Sequence, residues 1–372
     1  MSGFPHPSPA LITVAAESAG ERGVQRGKAC SPQLASGWQT YAELFSAGGI
    51  SAARVEAEAL ASLAAVDAWL PDLAAEIRGT AAGAGLPEWQ VAALNARTEI
   101  LSLSKTQLPG ECSTVISTIP GRVFSAQTWD WHEELAKAWH LQSVAHADGA
   151  FVGMTEYGIL GKIGVNSHGV GVHLNVLGHS GDTPGAVPVH VAAAAVLYYA
   201  KTLEEAVDLL TAVPVTTSSS ISVVTAEGAC MVELSPVGAQ VIPAAGDYLL
   251  HTNHFLSPLP AAGERTELYQ PDSGQRLDLL KRRCSGHFDP SDPLDLVPYL
   301  CSRPGDGADL CCVPAAGARF GDRWRTLATA LIDPETARLS VSPGAPTEAG
   351  QETWRVLSAQ SQQQPARRAR GI

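Results

Sequence analysis

The feature that most constrains this chain is a change of sequence grammar at Pro109-Gly110. Upstream of it, Val55, Ala59, Leu63, Val66, Leu70, Leu73 and Ile77 recur at spacings of three and four, the period of one buried helical face. Pro71 is expected to break or kink that helix. Thr40 with Glu43 predicts a capping box, residues 79–85 a glycine-rich turn, and residues 87–96 a short helix opened by proline. Downstream, short β-branched segments punctuated by glycine predict strands over 113–119, 122–128, 141–146, 151–157, 159–166 and 169–176.

The alternation then repeats. Residues 188–212 return to a helical pattern, with Thr202 and Glu205 as a second capping box. Strands follow over 219–226, 230–234, 239–242 and 248–252, then a helix around 274–283, a Pro/Gly/Cys-rich loop at 299–321 and a hairpin of 326–333 with 338–342. Helices, strands, helices and strands in that order predict an α+β sandwich with two sheets layered between helices. The polar, basic tail 359–372 is expected to fray.

Composition narrows the function. A net charge of −12 repels phosphate backbones, which argues against nucleic-acid binding. The first twenty residues lack a basic n-region and no apolar run is long enough to span a bilayer, so a cytoplasmic protein without membrane partners is expected. Seven cysteines, an odd number scattered through a long chain, fit free thiols better than a disulfide framework.

Several motifs fail on inspection. Gly27-Lys28 and Gly161-Lys162 end like a phosphate-binding loop, but the earlier glycine is absent and no Ser or Thr follows, so both read as turns. Ser180, in Gly178-His179-Ser180-Gly181-Asp182, misses the spacing of a nucleophile elbow by one residue. His251 with His254, or Cys311 with Cys312, lack the partners a zinc site needs, and no metal or cofactor is expected.

Three residues keep a chemical reading. Cys112 opens a strand just after the Pro-Gly break; it is either a small hydrophobe or a nucleophile at a strand end. Asp130, between Trp129 and Trp131, is either a turn cap or a working carboxylate. Asn253, in His251-Thr252-Asn253-His254, is either an Asx turn or a donor to an oxyanion.

These residues stand in blocks that resemble, in order, the acyl-coenzyme A:6-aminopenicillanic acid acyltransferases (isopenicillin N acyltransferases) of the Ntn-hydrolase superfamily. The blocks are Glu21-Arg22-Gly23 through Gly27, Leu94-Asn95-Ala96-Arg97-Thr98-Glu99, Glu111-Cys112-Ser113-Thr114 and Gln127-Thr128-Trp129-Asp130. Thr155-Glu156-Tyr157-Gly158-Ile159-Leu160-Gly161-Lys162-Ile163-Gly164-Val165-Asn166-Ser167 follows, then Asn175, the Pro184 to His190 stretch, His251 to His254, and Thr326 to Asp333. Glu111 departs from the glycine that precedes the nucleophile in the fungal members.

The resemblance implies a four-layer αββα sandwich with two antiparallel sheets. It also implies self-cleavage between Glu111 and Cys112 into associated fragments, residues 1–111 and a catalytic part over 112–358. Cys112 would be the nucleophile, with Asp130, Asn253 and Arg323 as the other functional positions; Arg303 is a rival for Arg323. The implied activity is a cysteine amidohydrolase or acyltransferase acting on a small amide or acyl-CoA thioester. The alternative is a catalytically silent relative that binds an acylated ligand.

Overall fold

The computed structural model describes residues 8–104, 112–265 and 272–360. Two sheets face each other. The first runs β1 (Leu11–Ala15), β4 (Trp139–His146), β5 (Gly149–Glu156), β6 (Ile163–Asn166), β7 (Gly171–Val176), β8 (Ser219–Thr225), β9 (Gly228–Leu234) and β10 (Gln240–Pro243). The second runs β11 (Tyr248–His251), β2 (Thr114–Ile119), β3 (Arg122–His132), β12 (Trp324–Asp333), β13 (Arg338–Pro343) and β14 (Arg355–Ser358). Both sheets are covered on both faces, so β3, β7 and β8 are buried almost end to end. That burial leaves no alternation of buried and exposed positions along them.

Helices α1 (Ala19–Ala47), α2 (Ala52–Trp69), α3 (Pro71–Ala84), α4 (Glu88–Asn95), α5 (Arg97–Leu101), α6 (Val189–Tyr199) and α7 (Leu203–Ala212) gather on the side of the first sheet. Helix α8 (Ser273–Cys284) and the single turn Val297–Leu300 cover the second. Leu277, Leu280, Leu296 and Leu300 pack there on Val115, Phe124 and Ala126. The result is the expected four-layer αββα order, with one correction. Ladders are antiparallel except at the edge, where β1 pairs in parallel with β4, Leu11 opposite Leu141. The run that forms β1 is only five residues long, too short for its alternation, with Ile12 and Val14 buried, to stand out from the helical pattern beyond it.

The amino-terminal helices correct two further expectations. Thr40 lies inside α1 with its hydroxyl donating to the Ser36 carbonyl, and the true N-cap is Ser18, which accepts from the Glu21 N–H. Helix α1 is kinked at Cys30, two residues before Pro32, where proline disrupts the preceding turn. Residues 79–84 are not a turn, because α3 runs on to Ala84 and ends at Gly85 in the left-handed region (φ 71°).

The glycines of that stretch serve close packing. A Cβ at Gly27 would lie 2.2 Å from the Thr80 carbonyl oxygen, and one at Gly79 2.3 Å from that of Gly20. The two helices touch backbone to backbone. This brings Arg22 and Arg26 onto Glu76, at 3.0 and 2.8 Å, in a buried cluster closed by the Tyr198 hydroxyl at 2.7 Å. Gly27→Ala should therefore cost at least about 2 kcal/mol in urea denaturation. Gly20→Ala, with nothing within 4 Å of the new methyl, should be neutral or stabilising.

Candidate active site

Register alone gathers the site. On β11 and β2, His251 pairs with Thr114, so two residues further out Asn253 falls opposite Cys112. On β3, Gln127 pairs with Thr114, and β3 continues to His132 after β2 has ended. There the Asp130 N–H is directed at the Cys112 sulfur. Across the sandwich, Thr114 Oγ1 and Gln127 Nε2 donate to Asn175 Oδ1 at 2.8 and 3.0 Å, tying β7 to the second sheet.

Cys112 is held through its main chain as well as its side chain. Its N–H donates to Asn253 Oδ1 at 2.9 Å, and its carbonyl accepts from Asn175 Nδ2 at 2.9 Å and from Arg276 at 3.4 Å. Arg276 also donates to Asn253 Oδ1 at 3.0 Å and to Ser113 Oγ at 3.1 Å, and pairs with Asp272 at 3.3 Å. Two donors therefore fix the Asn253 oxygen toward Cys112. Asn253 Nδ2 gives one proton to the Val176 carbonyl at 2.9 Å, and its second proton has no partner among the described residues. The Asn253 N–H is itself anchored to Ser273 Oγ at 2.7 Å.

Burial dominates the electrostatics of the thiol. It pushes Cys112 up to about 12, and the Asp130 carboxylate adds to the rise; the Asp130 N–H, Lys162 and Arg276 oppose it. At neutral pH the thiol of the intact chain is protonated.

A cavity beside Cys112 is lined by Asp130 and Asn253 and also by Arg97, Lys162 and Trp129. Behind it, Glu156 accepts from Arg97 at 2.6 Å, from Lys162 at 3.0 Å and from the Tyr41 hydroxyl, all buried. Arg97 lies 3.8 Å from the Trp131 ring and Lys162 3.9 Å from that of Trp129, so both neighbours of Asp130 rest on buried cations. Asn95 places Lys162 by clamping the preceding turn: it donates to the Gly158 carbonyl at 2.8 Å and accepts from the Leu160 N–H at 3.1 Å. Neither glycine-lysine pair is a turn: Gly27-Lys28 lies within α1, and Gly161-Lys162 is a bend leading into β6 with its lysine buried.

Burial pushes the Glu156 carboxyl up, yet Arg97 and Lys162 outweigh it and hold the group below the usual carboxylate range. Its stabilising contribution is complete above an unfolded value of about 4.3 and is lost as pH falls through the lower folded value. Glu156→Gln should flatten the acid limb of the stability curve. Glu156→Ala should cost about 3–5 kcal/mol in denaturation, because two buried cations lose their partner.

The sequence-predicted positions thus divide. Cys112, Asp130 and Asn253 meet in one cavity, whereas Glu111 lies outside the described residues. Arg323 is over a third exposed, bonds Glu134 at 3.0 Å and does not line that cavity; Arg303 sits on an exposed loop against Asp306. The arginine on Cys112 is Arg276. Its signal was available: it is a charged residue on the buried stripe of α8, with Leu280 and Cys284 at steps of four. Among the described residues no group of three metal-ligating side chains forms, and no helix is long and apolar enough to cross a membrane.

The chain is similar to the 40 kDa form of acyl-coenzyme A:6-aminopenicillanic-acid-acyltransferase from Emericella nidulans, 29% identical over 214 residues, or 57% of this chain and 59% of that protein. The match spans less than two thirds of that relative. Among solved structures, a variant of conjugated bile acid hydrolase from Clostridium perfringens aligns over 66% of this chain and 92% of its own, at 13% identity and a TM-score of 0.46. Penicillin V acylase from Agrobacterium tumefaciens aligns over 62% and 82%, at 16% identity and 0.35. Both likenesses are remote, and the layer order rests on the chain's own two sheets. The family model described as acyl-coenzyme A:6-aminopenicillanic acid acyl-transferase matches residues 118–348, more than half of the sequence, and the chain belongs to that family.

Proposed function

We propose that this protein is a self-processing cysteine amidohydrolase or acyltransferase in which Cys112 is the nucleophile. The observation that carries the reading is the attention given to the Cys112 main chain. A buried structural cysteine needs no asparagine on its nitrogen and no arginine near its carbonyl, whereas a residue whose α-amino group must work needs both ends oriented.

In the precursor, the Cys112 sulfur attacks the Glu111 carbonyl and its proton passes to the departing Cys112 nitrogen. The chain shifts from amide to thioester, which frees the α-amine, and water then hydrolyses the thioester, releasing residues 1–111 and restoring the Cys112 thiol. That amine, with an ordinary value of about 7.7–8.0, suits a general base near neutrality. It takes the thiol proton as sulfur attacks an amide or acyl thioester, and returns it to the leaving group. The free Asn253 Nδ2 proton faces the developing oxyanion, Arg276 holds the amide of Asn253 in place, and Asp130 presents its N–H to the sulfur. Water or an amine then takes the acyl group from Cys112.

The test is a panel of small acyl amides and acyl-CoA thioesters, followed by mass spectrometry of the protein. Wild type should gain one acyl mass on the peptide containing Cys112 and turn substrate over. Acylation on another residue, or none with any member while turnover proceeds, would remove Cys112 from the mechanism.

A further inference from the structure

Lys162 joins two buried systems. It donates to Glu156, and it also lines the cavity of Cys112 and Asp130 with its ammonium on the face of Trp129. Glu156 does not require it, since Arg97 already neutralises that carboxylate at 2.6 Å and Tyr41 adds a hydroxyl. The Lys162 charge is therefore in excess at Glu156, and a wholly buried ammonium is costly unless another anion shares it. The other carboxylate on the cavity wall is Asp130, next in sequence to the tryptophan that Lys162 touches. With Cys112 neutral, Arg97 and Lys162 balance Glu156 and Asp130. Arg276, the further cation near Cys112, has Asp272 as its own counter-charge.

Forming a thiolate adds a negative charge beside Asp130, and the cavity tolerates it only while a cation keeps Asp130 offset. On the reading that Cys112 is the nucleophile, we propose that Lys162 is its positioning residue: the buried ammonium offsets Asp130 and lets the Cys112 thiolate form. The role matters most in the intact chain, which has no α-amine at Cys112 to serve as base. The groups facing the pair are Asp130 on β3, Arg97 on α5, Glu156 on β5, Arg276 on α8 and His190 on α6. Burial keeps His190 neutral, and its two ring nitrogens have no partner among the described residues. Burial also draws Lys162 down to about 7 while Glu156 holds it up, and a thiolate in the same cavity strengthens its hold on the proton. Cys112 and Lys162 accordingly titrate as a pair.

The experiment is the pH dependence of iodoacetamide alkylation, read at the Cys112 peptide by mass in the full chain, for wild type, Lys162→Gln and Lys162→Arg. Glutamine keeps a donor to Glu156 but removes the charge. Lys162→Gln should move the alkylation midpoint up by at least about one unit and slow alkylation at pH 8 about tenfold, with arginine restoring the wild-type profile. A folded Lys162→Gln with the wild-type midpoint would overturn the inference. Should that variant not fold, Lys162→Arg decides: an unchanged midpoint supports the charge role and a full-unit shift overturns it. Turnover that survives Cys112→Ala would instead overturn the nucleophile reading, and this inference with it.

Discussion

Cys112→Ala should abolish turnover, by at least about 10³-fold, while leaving the fold intact. The sulfur is the group that forms the acyl-enzyme, and loss of a nucleophile leaves only the background from binding and oxyanion stabilisation. Alanine keeps the main-chain contacts to Asn253, Asn175 and Arg276, since these use the Cys112 nitrogen and carbonyl. Melting temperature should therefore stay close to wild type, which separates lost chemistry from lost structure. Cys112→Ser is the sharper companion. It keeps shape and polarity but replaces a thiol by a hydroxyl far harder to ionise, and should retain a small fraction of the rate at most.

Asn253→Ala should be the next most damaging change, with a loss of about 10²–10³ in kcat when one oxyanion donor is removed. The effect has two parts. Chemistry loses the free Nδ2 proton, and Cys112 loses the acceptor that orients its nitrogen. Asn253→Asp separates them: a carboxylate still accepts from Cys112 and Arg276 but donates nothing, so kcat should fall as far as in the alanine variant, and the lost bond to the Val176 carbonyl should lower the melting temperature. Measured kcat for the aspartate variant near wild type would mean that Asn253 orients Cys112 without touching the reacting oxygen.

How much of this was legible in the sequence follows from which signals are local. The strand blocks, the Pro71 break, the Thr202 N-cap and the α8 helix sit close to where periodicity and capping residues predict them. Strand β1 did not show, because five residues carry too little pattern and its partner β4 lies more than a hundred positions away. The 79–84 glycines misled because a glycine cluster signals a turn locally, whereas here it is demanded by contact with another helix.

Within the site, Cys112, Asp130 and Asn253 were legible because each lies in a resemblance block, although Asp130 is neither a turn cap nor at a strand end but inside β3, which runs on to His132. Arg276 lies outside those blocks, and its role depends on the three-dimensional meeting of α8 with the ends of β2 and β11. Arg323 shows the converse: it stands close to a resemblance block, yet the geometry ties it to Glu134 and away from the sulfur. Lys162 looked like a turn residue because chain direction alone says nothing of which way a side chain faces.

The central claim, that Cys112 becomes an amino-terminal nucleophile, is tested most directly by intact mass and amino-terminal sequencing of the purified protein after incubation at neutral pH. The account predicts two fragments, the larger beginning at Cys112, from wild type, and a single uncut chain from Cys112→Ala. A wild-type chain that stays whole, or a cut that persists in Cys112→Ala, would contradict it.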